Sequence, residues 1–183
     1  LVGRLMAALD ETGLAKNTVV VFWSDHGYYM GEHNWWGAKH NNYEGATRAP
    51  LMIAVPNQKT AGQHSPALVE FVDIYPSLVE LCGLPPPPDA AGLEGKSFAP
   101  LLADPNRPWK AAAFSEYPKG GYQGTAMRTD RYRYVRWVDK QGQVAAVELY
   151  DHQLDPAEHE NLAVKPENQT LLDQLAKQMD ELA

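Results

Sequence analysis

Residues 19–27 read VVVFWSDHG, an apolar, β-branched run followed by a serine, an acidic residue, an imidazole and a glycine. Such a run predicts a strand buried on both faces and therefore parallel to its neighbours. Open α/β sheets bind ligands at the carboxyl ends of these strands. Asp25 and His26 offer an oxygen and a nitrogen donor there, and Gly27 permits a sharp turn. The stretch indicates either a metal site or a simple turn with a capping Asp25 and a solvated His26.

The next segment, residues 31–50, is GEHNWWGAKHNNYEGATRAP. It is long, polar, aromatic and without periodicity, which predicts an ordered loop rather than a linker. Together with the Ser-Asp-His-Gly of residues 24–27, it resembles the sulfatase family of the alkaline phosphatase superfamily. The spacing Trp-x-x-Lys-His-x-Asn-Tyr-Glu of residues 36–44 is most similar to the iduronate-2-sulfatase group. Further sulfatase-like segments follow in the family's order at residues 72–78, 95–102 and 148–162.

The resemblance implies roles for four residues. Asp25 and His26 take the places of ligands to a calcium ion that binds the sulfate ester oxygens. Because many sulfatases carry Asn at the second position and calcium prefers oxygen donors, His26 could instead bond the sulfate or the formylglycine diol. Lys39 matches the lysine that contacts the sulfate, where an ammonium offsets charge as the bond to the leaving group breaks. His40 is a second candidate for substrate contact, or a structural residue.

Two family features are not in this sequence. Sulfatases carry a Cys-x-Pro-x-Arg or Ser-x-Pro-x-Arg segment, whose first residue becomes the formylglycine nucleophile, and an early Asp-Asp pair. The only cysteine, Cys82, has no arginine in register, and its place at the end of an apolar helix pattern predicts a buried, inert thiol. We therefore expect a C-terminal portion of a sulfatase, inactive alone, whose partner is the missing N-terminal part. An exposed apolar face at residues 19–23 is expected for the same reason.

The implied reaction is hydrolysis of a sulfate monoester, with calcium and formylglycine as the family's cofactors and a sulfated sugar such as iduronate-2-sulfate, or another sulfate ester, as substrate. The alternatives are a phosphatase or phosphonate monoester hydrolase of the same superfamily, and a non-catalytic fragment. A net charge of -7 and a pI near 5.3 argue against a nucleic-acid surface. No apolar stretch has the length of a membrane span.

The polyproline run at residues 85–88 places a domain boundary nearby. Residues 1–105 are predicted to be the C-terminal part of a catalytic α/β domain with a mainly parallel sheet, and residues 106–183 a small subdomain with a four-stranded antiparallel sheet and a packed helix. The predicted elements are a helix over residues 1–11 ended by Gly13, strands at 19–23, 51–55 and 67–71, a helix capped by Asp73, strands at 111–117, 123–128, 132–138 and 144–150, a hairpin turn at 139–142, and a helix with an apolar stripe from Leu171 to Leu182.

Several polar and aromatic residues receive no catalytic role. Trp35 and Trp36 either form an apolar wall against a sugar ring or anchor the loop, and we favour the anchor; Arg48 is expected to pair with carboxylates. His152 and His159 lie among acidic residues and are interpreted as surface or packing residues.

Overall fold

The structure, a computed structural model, describes residues 1–88 and 92–182, which form two compact units. One unit combines Leu1–Trp23 with Leu51–Trp109, and the other combines Ser24–Pro50 with the chain from Lys110 onward. The architecture is mixed α/β and includes a four-stranded antiparallel sheet with a C-terminal helix, which confirms the predicted fold class. The domain boundary between residues 105 and 106 stays a prediction.

Helices and strands alternate irregularly along the described residues, with short 3-10 turns between them. In chain order they are α1 (Val2–Glu11), β1 (Val20–Trp23), α2 (Glu44–Thr47), β2 (Leu51–Ala54), α3 (Ile74–Leu81), α4 (Ala99–Ala103), β3 (Ala113–Lys119), β4 (Tyr122–Arg128), β5 (Tyr132–Val138), β6 (Val144–Asp151) and α5 (Gln169–Leu182). No described helix has both the length and the apolar character that crossing a membrane requires.

The two strands of the first unit pair differently from the prediction. β1 and β2 run antiparallel, with Trp23 opposite Leu51. The expected parallel pairing is therefore wrong for these strands, because an apolar run indicates burial and does not specify strand direction. Phe22 and Trp23 are 45% and 48% exposed. The prediction of an exposed apolar face at residues 19–23 is confirmed. The prediction that this strand is buried on both faces is wrong.

The helix predicted after Asp73 is confirmed as α3, but the fully buried Asp73 side chain makes no capping bond to this helix. Its carboxylate accepts the backbone N–H of Glu70 at 2.9 Å and that of Lys96 at 2.7 Å, which compensates the burial. The strand predicted at residues 67–71 is wrong, since a short apolar run can equally lead into a helix. Cys82 is exposed rather than buried, because the helix has ended one residue before it.

Helix α1 ends as expected, with Gly13 at a φ of 72°. Glycine adopts this left-handed conformation without steric cost, so the chain can turn away from the helix there.

Strands β3 to β6 form the predicted antiparallel sheet in chain order. The hairpin turn at residues 139–142 is confirmed, because the Asp139 N–H donates to the Gln143 carbonyl at 2.9 Å. Helix α5 packs on one face of the sheet, as its apolar stripe predicts. The buried residues of this core are Ala112, Met127, Tyr134, Leu149, Leu172, Leu175 and Met179.

The other face of this sheet is also covered. Neighbouring residues of a strand point to opposite faces, so Arg133 points away from the core that holds Tyr134. Arg133 is nevertheless only 2% exposed. Its cover is the segment Ser24–Pro50, in which the Asn42 side-chain amide donates to the Gly124 carbonyl at 2.9 Å. The loop singled out in the sequence thus packs on the C-terminal sheet.

Candidate active site

His26 follows β1 by three residues, and its two ring nitrogens make different contacts. Its Nδ1 lies 2.6 Å from the Gly27 carbonyl oxygen, and a carbonyl only accepts hydrogen bonds, so Nδ1 carries the hydrogen. Nε2 is then the acceptor of the ring. The Lys39 ammonium, which has only donors, lies 2.8 Å from that nitrogen. The imidazole therefore holds Lys39 Nζ at a defined place.

Asp25 completes this group of three residues. One of its carboxylate oxygens, Oδ2, lies 3.3 Å from His26 Nε2, and its side chain is 82% exposed. The Ser24 hydroxyl stabilises the turn by donating to the His26 carbonyl at 2.9 Å. The structure thus brings Asp25, His26 and Lys39 together, although the last lies 13 residues beyond the imidazole. Their functions stay predictions.

His40 behaves differently from its neighbour Lys39. It is exposed, and its ring lies 6.0 Å from that of Tyr117, tilted by 33°. The structure therefore places His40 against the C-terminal sheet rather than on the His26 ring, and its predicted role in binding substrate stays a prediction.

Lys39 follows directly from a short hairpin formed by residues 28–38. The Tyr29 N–H donates to the Ala38 carbonyl at 3.0 Å, and the Gly37 N–H donates back to the Tyr29 carbonyl at 3.0 Å. An antiparallel bridge between Met30 and Trp36 extends the pairing. Because these backbone bonds end at Ala38, they set where Lys39 leaves the hairpin.

An aromatic cluster anchors this hairpin. The Trp35 ring lies 6.0 Å from that of Tyr43 at an angle of 10°, and Tyr29 meets Trp35 edge to face at 5.4 Å. Burial raises the pKa of Tyr29 and that of Tyr43 to about 12, so both phenols stay protonated at neutral pH. The anchoring role expected of the two tryptophans holds for Trp35 only, because Trp36 is 76% exposed.

Asp25 and His26 differ in how well they suit a calcium ion. The exposed Asp25 carboxylate offers the hard oxygen atoms that calcium prefers. The Nε2 atom of His26 already accepts a hydrogen bond from Lys39. The geometry therefore supports Asp25 as a ligand and supports His26 as the residue that orients Lys39.

A buried group of charges beside the loop was missed by the sequence analysis. The Arg133 guanidinium donates to Glu158 Oε1 and to Glu44 Oε2, each at 2.5 Å. His152 Nε2 donates to Glu158 Oε1 at 2.8 Å, and Arg128 Nε lies 3.5 Å from Glu44 Oε2. We call these five residues the buried ion network. His152 was interpreted as a surface or packing residue, yet its side chain is 6% exposed and belongs to this network.

The buried ion network balances opposite charges at close range. Burial by itself raises the pKa of Glu158, but the His152 hydrogen bond and the Arg133 charge outweigh it, so the pKa is lowered. Burial lowers the pKa of Arg128.

Three potential ligand atoms of Glu44, His152 and Glu158 lie within 4.8 Å of one another. Because Arg133 already holds both carboxylates, these residues form an ion-pair cluster and not a free metal site.

Arg48 contributes less than expected. Its guanidinium lies 3.5 Å from Glu44 Oε1, but its side chain is 79% exposed. The predicted pairing with a carboxylate is present, and at this exposure it adds little to the position of the loop.

Comparison with known proteins places the chain in a family. A family described as "N-sulphoglucosamine sulphohydrolase, C-terminal" matches residues 31–183. A sulfatase of Formosa agariphila is 38% identical over 161 residues, which are 88% of this chain and 29% of that protein. The iduronate 2-sulfatase of Mus musculus is 30% identical over 226 aligned positions, covering 88% of this chain and 41% of that protein. The chain thus spans less than half the length of these relatives.

Solved structures share the fold over nearly the whole chain. A protein solved in complex with its substrate, D-glucosamine-2-N,6-O-disulfate, superposes with a TM-score of 0.83 at 30% identity, covering 98% of this chain and 37% of that one. The phosphonate monoester hydrolase of Agrobacterium radiobacter gives a TM-score of 0.85 at 27% identity, covering 98% of this chain and 38% of that one. Since the family match extends over residues 31–183 and the relatives in that region are sulfatases, this chain belongs to the sulfatase family, in its N-sulphoglucosamine sulphohydrolase C-terminal group.

Proposed function

We propose that this chain contributes Asp25, His26 and Lys39 to an enzyme that hydrolyses sulfate monoesters of sulfated sugars. The observation that carries the proposal is the 2.8 Å contact of Lys39 Nζ with His26 Nε2 beside the exposed Asp25 carboxylate. A held ammonium and a cation-binding carboxylate at one place suit a substrate with an anionic ester group. The formylglycine nucleophile implied by the resemblance is assigned to a part of the protein outside this chain.

Lys39 is proposed to stabilise the charge on the sulfate oxygens. An ammonium has three donors, of which His26 takes one, so two remain for the ester. The hydrogen bond from His26 Nδ1 to the Gly27 carbonyl keeps the ring from turning away. Negative charge grows on the leaving oxygen as its bond to sulfur breaks, and a preorganised positive charge lowers the barrier to that step.

Asp25 is proposed as the calcium ligand of this chain. A calcium ion, when bound, neutralises and polarises the ester oxygens. The Asp25 carboxylate fits this ion because it is exposed and anionic. Calcium takes about 6–8 oxygen ligands, so Asp25 would be one of several, the others being carboxylates, carbonyl oxygens or water. His26 keeps its proposed role in orienting Lys39.

Iduronate-2-sulfate is the proposed substrate to test first. The support is the Trp-x-x-Lys-His-x-Asn-Tyr-Glu segment of residues 36–44 and the similarity to an iduronate 2-sulfatase. The structural neighbour bound to a glucosamine disulfate makes sulfated amino sugars the second class to test.

The test is a substrate panel with the whole protein in calcium buffer. The panel contains a disaccharide with 2-O-sulfated iduronate, glucosamine 6-sulfate, N-sulfoglucosamine and a phosphonate monoester. We expect sulfate release from the iduronate disaccharide to be fastest, to stop on chelation and to return with calcium. Sulfate release from neither of the two O-sulfated sugars would refute the proposed function, because N-sulfoglucosamine carries a sulfamate and not a sulfate ester.

The phosphonate monoester is included because of a second candidate function. The phosphonate monoester hydrolase of Agrobacterium radiobacter shares this fold at a TM-score of 0.85, and its substrate is also a tetrahedral monoanionic ester. Faster hydrolysis of the phosphonate than of every sulfated sugar would favour this alternative.

A further inference from the structure

Arg133 connects the C-terminal sheet to the segment that follows Lys39. It lies in β5 and is 2% exposed. Its three donor groups reach three acceptors: Nη1 donates to the Asn42 carbonyl at 2.9 Å, Nη2 to Glu44 Oε2 at 2.5 Å, and Nε to Glu158 Oε1 at 2.5 Å. One rigid guanidinium therefore fixes both the backbone and a side chain of the loop.

The same segment is held to the sheet at further points. Asn42 is 2% exposed, and besides its bond to Gly124 its side-chain oxygen accepts from the Ser115 hydroxyl at 3.2 Å. The backbone N–H of Glu44 donates to Glu158 Oε2 at 2.7 Å. Glu158 thus holds the loop directly and also holds Arg133. Residues 42–44 have little freedom as long as these bonds are intact.

Lys39 lies between two anchored positions. Ala38, on one side, is bonded to Tyr29, and Asn42, on the other side, is bonded to Arg133. Only two residues lie between Lys39 and Asn42, so three backbone steps join them and span at most about 10 Å. This chain is too short to absorb a shift of about 1 Å at Asn42. The shift is therefore passed on to Lys39.

We propose that Arg133, supported by Glu158, is a positioning residue that keeps Lys39 on His26, so that the C-terminal sheet sets the geometry of the active-site loop. This inference rests on the proposed function, in which Lys39 stabilises the sulfate. Arginine is required here because the three acceptors are contacted by three different nitrogens of the guanidinium, and the single amine of a lysine cannot take the place of all three. The contact that depends on Arg133 is the one between Lys39 Nζ and His26 Nε2.

The first experiment is steady-state kinetics of Arg133→Lys in the whole protein. A misplacement of about 1 Å costs up to about 100-fold in rate, so we expect kcat to fall about 10- to 100-fold with KM changed by less than about threefold. The matched control is Arg131→Lys. Arg131 also makes a forked ion pair, with Asp151 at 3.0 and 2.6 Å, but that pair does not involve the loop. We expect the control to retain kcat within about twofold.

The second experiment is a double-mutant cycle with Lys39→Ala. If Arg133 acts through Lys39, the double variant loses no more activity than Lys39→Ala alone, since the interaction that Arg133 supports is already gone. Losses that multiply in the double variant would overturn the proposal.

A third measurement does not depend on activity. The ¹⁵N shifts of the His26 ring report its tautomer, and we expect the wild-type protein to show hydrogen on Nδ1 only. In folded Arg133→Lys the Nε2 signal should shift because Lys39 no longer donates to this nitrogen, while Arg131→Lys should match the wild type. An unchanged His26 signal in Arg133→Lys would overturn the proposal.

If Arg133→Lys does not fold, Glu44→Gln takes its place in the same measurements, because glutamine keeps the shape and removes the charge that Arg133 Nη2 contacts. The failure of the proposed function has a separate signature. Wild-type protein that hydrolyses no sulfate ester, or a Lys39→Ala variant with native kcat, would refute the role of Lys39. The His26 spectra would then still decide whether Arg133 positions Lys39.

Discussion

Replacing Glu158 by glutamine tests how much the buried ion network stabilises the fold. The side chain of Glu158 is 1% exposed. Glutamine has nearly the same shape and keeps one acceptor oxygen, so the change removes a charge without opening a cavity. The donors that the carboxylate now accepts from are Arg133 Nε at 2.5 Å, the Glu44 N–H at 2.7 Å and His152 Nε2 at 2.8 Å.

The magnitude follows from what the variant leaves unpaired. Removing one partner of a buried ion pair costs about 3–5 kcal/mol, because the remaining charge stays buried. Arg133 keeps its second carboxylate partner, Glu44, so we expect a loss near the lower end, about 3 kcal/mol. For a chain of 183 residues this corresponds to a Tm lowered by about 6–12 °C.

The assay is urea unfolding followed by tryptophan fluorescence, with Glu160→Gln as the matched control. Glu160 also forms an ion pair, with Lys165 at 2.6 Å, but its side chain is 62% exposed. Solvent and salt screen such a pair, so we expect an almost unchanged midpoint for the control. Equal midpoints of the Glu158 and Glu160 variants at pH 7 would refute the reasoning.

The same variant predicts a pH dependence. The pKa of Glu158 is lowered below the usual value of 4.5, because the His152 hydrogen bond and the Arg133 charge outweigh the opposite effect of burial. A group with a lowered pKa in the folded state stabilises the protein above its unfolded pKa and loses that contribution as the pH falls through the folded value. The stability difference between wild type and Glu158→Gln should therefore be constant near neutral pH and shrink below about pH 4.5.

Further substitutions test the site and the core. Lys39→Ala in the whole protein should lower kcat by about 100- to 1000-fold and leave bound calcium unchanged, whereas Lys140→Ala, an exposed control, should change neither. Asp25→Ala should lower calcium content and activity together, and excess calcium should restore part of the rate; native calcium content would contradict its role as a ligand. Met179→Ala should cost about 2–5 kcal/mol in urea unfolding because Met179 is fully buried, while Leu182→Ala, 46% exposed, should cost little; equal losses would contradict the packing of α5. The 183-residue chain alone should bind calcium weakly and show no turnover of an aryl sulfate, and turnover by a sample free of any other fragment would contradict the division of roles.

Local patterns in the sequence were sufficient for much of the fold. The four strands of the C-terminal sheet, the hairpin at residues 139–142 and α5 all follow from alternation, turn residues and a helical stripe, which are properties of neighbouring residues. The resemblance gave Asp25, His26 and Lys39 roles around one sulfate ester, and the structure brings these three side chains together.

Other features could not be predicted because they depend on contacts between distant residues. β1 and β2 are separated by 27 residues, and the path of that segment decides whether the strands pair parallel or antiparallel. An apolar run carries no information about this path. The exposure of Cys82 depends on where α3 ends.

The sequence by itself determined the secondary structure of the C-terminal sheet and the identity of the three residues of the candidate site. Only the tertiary structure decided that Arg133 holds the loop of Lys39, because Arg133 lies 89 residues from Glu44 and 91 from Asn42. In the sequence Arg133, Glu158 and His152 look like solvated surface charges. Folding buries these side chains, and removing a charge from water costs free energy. This cost is offset because a side chain of opposite charge from another part of the chain lies beside each of them.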